Sequence, residues 1–275
     1  MKQIKLIAFD LDGTLLKDNK EVTPRTLEAL RKAAAAGIHL VPTTGRLYDG
    51  VPKEIRSLPF IRYVIGANGA EVYDAWEKKT LHREEMNREE VLRFFTAAEN
   101  VSAIIGCYKG GKAYMGKSDM EKMEAYSSGQ ALFRMMRRIY IPVEDLKEYL
   151  LESGETVQKL MLFFADLEER RRVLEDIKVS LHELSVSSSV SNNIEVNAKE
   201  ANKGAALRFL RTHLNIEREA TAAFGDGSND ITMLLEAGTG FAMENACPEA
   251  KEGADRIALS NEQEGVAAEI ERILS

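Results

Sequence analysis

The sequence predicts an α/β protein: a doubly wound parallel (Rossmann-like) sheet core with an inserted α+β cap domain. Three observations carry this. Both ends of the chain alternate strand-length apolar runs with amphipathic helical stretches. Those runs end in small polar residues, as parallel strands do when a site forms at their carboxyl ends. The middle of the chain instead reads as helices and a glycine-turned hairpin. The core is assigned to 1–82 and 194–275, and the cap to 83–193.

The first strand lies in "IKLIAFDLDGTLL", where Ile4, Leu6, Ile7, Ala8 and Phe9 are apolar enough for a strand buried on both faces. "TPRTLEALRKAAAAG" is a helix, with Thr23 as N-cap, Pro24 at the first helical position, Gly37 as the stop, and Leu27, Leu30 and Ala34 as its apolar stripe. "IHLVPTTGR" and "IRYVIGANG" are two further strands running into polar loops. In the insert, "NREEVLRFFTAAEN" is a helix with Asn87 and Glu90 in capping-box positions. "VSAIIGCYKGGKAYM" is a hairpin turning at Gly110-Gly111, and "SDMEKMEAYSSG" a second capped helix. "TVQKLMLFFADLEERRRVLEDI" is a strand and a helix capped by Asp166, and "LHELSVSSSVSNNIEVN" two strands. The core pattern then returns: helix "NKGAALRFLRTHL", strand "ATAAFGDGSND", helix "ITMLLEAG" closed by Gly238, strands "GTGFAM" and "DRIALS", and a last helix "EGVAAEIERIL".

Composition narrows the function classes. A net charge of −7 argues against a nucleic-acid or anionic-membrane surface. Cys107 and Cys247 lie far apart with no CxxC spacing, which reads as two idle thiols in a reducing compartment. The apolar run at 6–9 stops at Asp10, too short for a signal sequence, and no stretch approaches transmembrane length. The expectation is a cytoplasmic protein, a monomer or small homo-oligomer.

Asp10 and Asp12 then pose a question. Residues i and i+2 of an extended chain point the same way, so both carboxylates should face one spot and repel each other. Later strand ends add Thr43, Thr44, Gly45 and Arg46, then Asp226, Asn229 and Asp230. Four carboxylates at one place require a cation, and an all-oxygen donor set favours Mg²⁺. Lys203 opens a helix, where the macrodipole disfavours a cation unless an anion binds there. Metal, helix end, lysine and threonine hydroxyl together point to a phosphoryl group. A carboxylate can attack phosphorus, and a neighbouring carboxylic acid can protonate the leaving oxygen and later activate water. His39, His82, His182 and His213 show no motif spacing.

"DLDGTLL", "TTGR", "ANKGAAL" and "GDGSNDITML", in this order, resemble the haloacid dehalogenase superfamily, and within it the Cof-type phosphatases. The resemblance implies a Mg²⁺-dependent hydrolase of small phosphomonoesters acting through an aspartyl-phosphate. Asp10 resembles the nucleophile and Asp12 the acid/base. Thr44, Gly45 and Lys203 resemble phosphate-holding residues, with Asn229, Asn68 and Arg46 as further phosphate or substrate contacts. Asp226 resembles a direct metal ligand beside Asp10 and the carbonyl of Asp12, with Asp230 as support. A phosphomutase and a non-enzymatic phosphate-ligand sensor are the alternatives. Pro42 departs from the pattern, so the strand is expected to end early or bulge there. Thr43 and Lys199 compete for the roles of Thr44 and Lys203. In the insert, Arg134, Arg137 and Arg138 read as a solvated basic face, Met120, Met123, Met135 and Met136 as core, and Trp76 as a packing residue near the core–insert boundary.

Overall fold

The computed structural model describes residues 3–127, 129–154 and 156–275. It divides into two compact units, Met1–Arg83 with Asn202–Ser275, and Glu84–Ala201.

The first unit begins with β1 (Leu6–Phe9), α1 (Pro24–Ala35) and β2 (His39–Pro42). Thr23 caps α1 by accepting from the Thr26 amide at 3.1 Å, with Pro24 in the first turn, as expected. Its core face is Thr26, Ala29, Leu30 and Ala33, one position off the expected stripe except at Leu30. A short helix α2 (Lys53–Arg56) precedes β3 (Tyr63–Gly66), β4 (Glu71–Asp74) and β5 (Lys79–Arg83). These last three form their own antiparallel sheet, where the sequence pattern suggested one more parallel strand. A short apolar run fits either setting, so periodicity could not separate them. β3 lies beside the end of β2, joined by the parallel bridge Thr43–Ile65. Trp76, in the turn after β4, is 58% exposed, with the Arg62 guanidinium 5.1 Å from its ring centroid, so it is not a packing residue.

The second unit contains α3 (Arg88–Ala97), β6 (Ala103–Lys109), β7 (Lys112–Gly116), α4 (Lys117–Lys122), α5 (Gln130–Ile139), β8 (Tyr140–Val143), α6 (Leu146–Ser153), β9 (Lys159–Phe164), α7 (Leu167–Ser180), β10 (Ser185–Ser187) and β11 (Asn193–Asn197). Its sheet has the order β10-β11-β9-β6-β7-β8. The Asn87/Glu90 capping box and the Asp166 cap are present. The β6–β7 hairpin turns on Gly110 and Gly111, both at positive φ. The expected second capped helix is the short α4, which has no side-chain cap; Ser128 of that stretch lies outside the described residues. Met123 and Met136 are buried, while Arg134, Arg137 and Arg138 are exposed. The expected boundary at 193/194 moves to 201/202, because β11 pairs with β9. Asn193, Glu195 and Asn197 are buried there, with Glu195 ion-paired to buried Lys159 at 3.1 Å, a partnership its local sequence did not announce.

The chain returns to the first unit with α8 (Lys203–His213), β12 (Thr221–Gly225), α9 (Ile231–Glu236), β13 (Thr239–Met243), α10 (Pro248–Glu252), β14 (Arg256–Ala258) and α11 (Gly265–Leu274). α9 ends at Glu236, before the expected stop at Gly238. The main sheet is parallel throughout, in the order β14-β13-β12-β1-β2. Leu6, Ile7, Ala8 and Phe9 are fully buried at its centre. The order reverses at β1, and ligands of such sheets bind beyond the strand ends at that point. β2 ends at Pro42 without a bulge, since Thr43 still donates to Phe9 O at 2.8 Å. Cys107 and Cys247 are free thiols. Among the described residues no helix is long and apolar enough to cross a membrane.

Candidate active site

β1 and β12 are adjacent and parallel, so the residues after Phe9 and Gly225 leave the sheet side by side. Asp10 continues the ladder, its amide donating to Phe224 O at 3.0 Å. The chain then turns at once: Leu15 N bonds back to Asp10 O and Leu16 N to Leu11 O, with Gly13 at φ +85°. This turn corrects the extended-strand argument. The Asp10 and Asp12 side chains diverge, and the expected four-carboxylate cluster becomes three: Asp10, Asp226 and Asp230 lie with one oxygen each within 4.8 Å of one another.

Asp12 faces a different partner set. Arg46 grips it with Nε to Oδ2 at 2.8 Å and a terminal nitrogen to Oδ1 at 2.6 Å, and Lys20 Nζ stands 3.0 Å from Oδ1. Burial alone would raise this carboxyl, but Arg46 and then Lys20 hold it below the ordinary carboxylate range. Arg46 also donates to Gly50 O. Arg46, expected as a phosphate or substrate contact, is here the ion-pair partner of Asp12. Lys20 carried no motif signal.

Lys203 is fully buried at the start of α8, its Nζ 2.6 Å from both Asp10 Oδ1 and Asp230 Oδ1. Burial works against a charged amine, yet the two flanking carboxylates outweigh it and keep the ammonium charged, above its ordinary range. The second Asp230 oxygen accepts from the amides of Asp226 and Gly227, both at 2.9 Å. Lys199 instead lies in the other unit, bonded to His182 O at 2.8 Å, which settles the competition for the buried position. α8 starts here because Asn202 caps it, accepting from the Ala205 amide at 2.8 Å.

Asp226 accepts from Thr14 Oγ1 at 2.7 Å, a contact the sequence reading missed although Thr14 directly follows the DxD turn. Gly13 is needed beside it, since a Cβ there would stand 2.4 Å from Asp226 Oδ2. Burial first, and then Asp230, push the Asp226 carboxyl up to about 6. Burial also drives Asp10 well above the ordinary range; Lys203 opposes this, while Asp230, Asp226 and Asp12 add to it. Three carboxyl groups thus crowd around one ammonium, and their mutual repulsion and burial are what a bound cation would relieve. The donors are all oxygen, so the set fits a hard divalent cation such as Mg²⁺.

The remaining residues flank this cluster. Thr43 spends its hydroxyl on Val41 O, whereas the buried Thr44 accepts from the Arg46 amide and anchors its own amide on Ile65 O. Gly45 lies between them and the arginine. Asn229 donates to Asn68 Oδ1 at 3.2 Å. All the expected site residues therefore fall in one unit, on four loops that follow β1, β2, β3 and β12 and on the start of α8.

Comparison with known proteins shows the family of the chain. The family model of the haloacid dehalogenase-like hydrolases matches residues 7–270. Phosphatase YwpJ of Bacillus subtilis (strain 168) is 30% identical, over 98% of this chain and 100% of its own. The 5-amino-6-(5-phospho-D-ribitylamino)uracil phosphatase YcsE of the same organism is 31% identical, over 97% and 94%. The structure of a haloacid dehalogenase-like hydrolase from B. subtilis superposes with a TM-score of 0.84 at 29% identity, covering 98% of this chain and 99% of that one.

Proposed function

Starting from a chain that belongs to the haloacid dehalogenase-like hydrolases and stands among their phosphatases, we propose that it hydrolyses small phosphomonoesters, with Mg²⁺, through an aspartyl-phosphate on Asp10. One observation carries the reading: the buried Lys203 ammonium spans Asp10 and Asp230 beside Asp226, at the carboxyl end of the central strand.

Asp10, Asp226 and the carbonyl of Asp12 would hold the cation, with Asp230 as support. Bound there, Mg²⁺ supplies positive charge that offsets the phosphoryl oxygens. Lys203 opposes the protonation that burial favours at Asp10 and orients its carboxyl, and with Thr44, the Gly45 amide and Asn229 holds the phosphoryl group. An Asp10 oxygen attacks phosphorus and the ester oxygen leaves, taking a proton from Asp12. Asp12 then removes a proton from water, which attacks the aspartyl-phosphate and frees phosphate and the Asp10 carboxylate. The ion pair with Arg46 keeps Asp12 ionised, ready for this second step. For the first step Asp12 must gain a proton and loosen from Arg46.

The core motifs account for phosphoryl group and metal alone, so the choice of leaving group is assigned to the unit Glu84–Ala201 as a cap domain. The name of one relative, a phosphatase of a ribityl phosphate, supports small polyol or sugar phosphates as the class. A hydrolysis screen in Mg²⁺ over sugar phosphates, nucleotides, phosphorylated cofactors and phosphopeptides tests this. Inorganic phosphate should be released from small esters, with no isomeric phosphoester product. Release from phosphopeptides alone overturns the substrate class; isomerisation without release makes the protein a mutase.

A further inference from the structure

Three consecutive residues between β3 and β4 have left-handed backbone: Ala67 at φ +49°, Asn68 at +61° and Gly69 at +101°. Only Gly69 adopts this at little expense, so strain is concentrated in two non-glycine residues. Such strain persists only where the surroundings over-determine it, and it gathers at functional sites. Here the surroundings are identifiable. Ala67 N donates to Arg46 O at 2.8 Å and Asn68 N to Thr44 O at 3.1 Å, which ties the turn to the loop carrying Thr44. The Asn68 carboxamide, 3% exposed, accepts from Asn229 on the β12 loop. Gly69 meets the start of α8 with no room for a side chain: a Cβ would lie 2.2 Å from Asn202 O and 3.0 Å from Lys203 N.

We infer that this turn is a spacer that fixes the separations of Thr44, Asn229 and Lys203, so that all three reach one phosphoryl group. Gly69 and Asn68 are positioning residues: Gly69 sets the approach of the α8 start, and Asn68 acts through Asn229. The inference rests on the phosphate-holding roles proposed above and adds what sets their geometry. A backbone displacement of about 1 Å at the α8 start is enough to lower a rate by about 10²-fold.

The test compares wild type, Gly69→Ala and Gly37→Ala. Gly37 is also left-handed, at φ +81°, but a Cβ there meets nothing within 4 Å, so it isolates backbone strain from displacement. Turnover of an aryl phosphomonoester, calorimetric binding of inorganic phosphate in Mg²⁺ and the thermal midpoint are measured. Gly69→Ala should lose about 10²-fold in kcat and bind phosphate about tenfold more weakly, while Gly37→Ala keeps both within about twofold. Gly69→Ala with both values near wild type overturns the inference, and so does an equal loss in Gly37→Ala. Should Gly69→Ala fail to fold, a double-mutant cycle decides. Asn68→Gly relieves the strain and removes the carboxamide; in an Asn229→Ala background it should have no further effect on phosphate binding. Multiplying losses overturn the coupling. Wild type that neither turns over nor binds phosphate removes the functional reading, and this inference with it.

Discussion

Lys203 Nζ donates to Asp10 Oδ1 at 2.6 Å across 193 positions of sequence, and neither atom has appreciable access to solvent. The pair ties the opening strand to the first helix after the inserted unit. It also sets the charge of the site, because the same ammonium serves Asp230.

Lys203→Ala should strip two buried carboxylates of their counter-charge. Breaking a buried pair from one side destabilises by about 3–5 kcal/mol, and urea unfolding at neutral pH should show a loss of that order. A loss below about 1 kcal/mol would mean that water or a cation already compensates the pair in solution.

Asp10→Asn should keep the fold, since it removes a charge from a crowded acid cluster, and should abolish turnover, since an amide forms no phosphoryl intermediate. Phosphate release in Mg²⁺ is the measurement. More than about a tenth of the wild-type rate would show that Asp10 is not the nucleophile.

Chelation should abolish turnover and Mg²⁺ restore it, with Ca²⁺ a poor substitute because its coordination is larger and looser. Asp230 spends both oxygens on Lys203 and two amides, whereas Asp226 holds one side-chain bond, from Thr14. Asp226→Ala should therefore weaken Mg²⁺ binding more than Asp230→Ala, by about tenfold or more in calorimetry. Equal losses would reject the split into direct and supporting ligands.

Asp74 offers a check on stability away from the site. It is buried, accepting from Arg62 at 2.9 and 3.0 Å and from the amides of Trp76 and Glu77 at 3.0 and 3.1 Å. Burial alone would raise its carboxyl, but these donors hold it below the ordinary range. A carboxyl depressed in the folded state stabilises above its unfolded value of about 4, and that contribution fades as pH falls through the lower folded value. Asp74→Ala should cost about 2 kcal/mol at pH 7, with the gap to wild type narrowing below about pH 4. A gap that stays constant down to pH 2 would contradict the assignment.

The sequence by itself determined the parallel core, the helix caps at Thr23, Asn87 and Asp166, and the segments that carry the site. These are local matters: a cap, an apolar run or an acidic turn is written within a few adjacent residues. It also marked Lys203, because a cation at a helix start is anomalous on its own terms. Tertiary structure decided what those groups face. The turn at Gly13 sent Asp12 to Arg46 and Lys20 and left three carboxylates with Lys203. Pairing moved β3 into a separate antiparallel sheet and β11 into the inserted unit, since an apolar run carries no record of its neighbour. Thr14 reached Asp226, and the left-handed turn at Ala67–Gly69 came to brace three loops, through contacts between residues far apart in the chain. Such contacts depend on how the turns aim each side chain, and periodicity and motif spacing do not encode that direction.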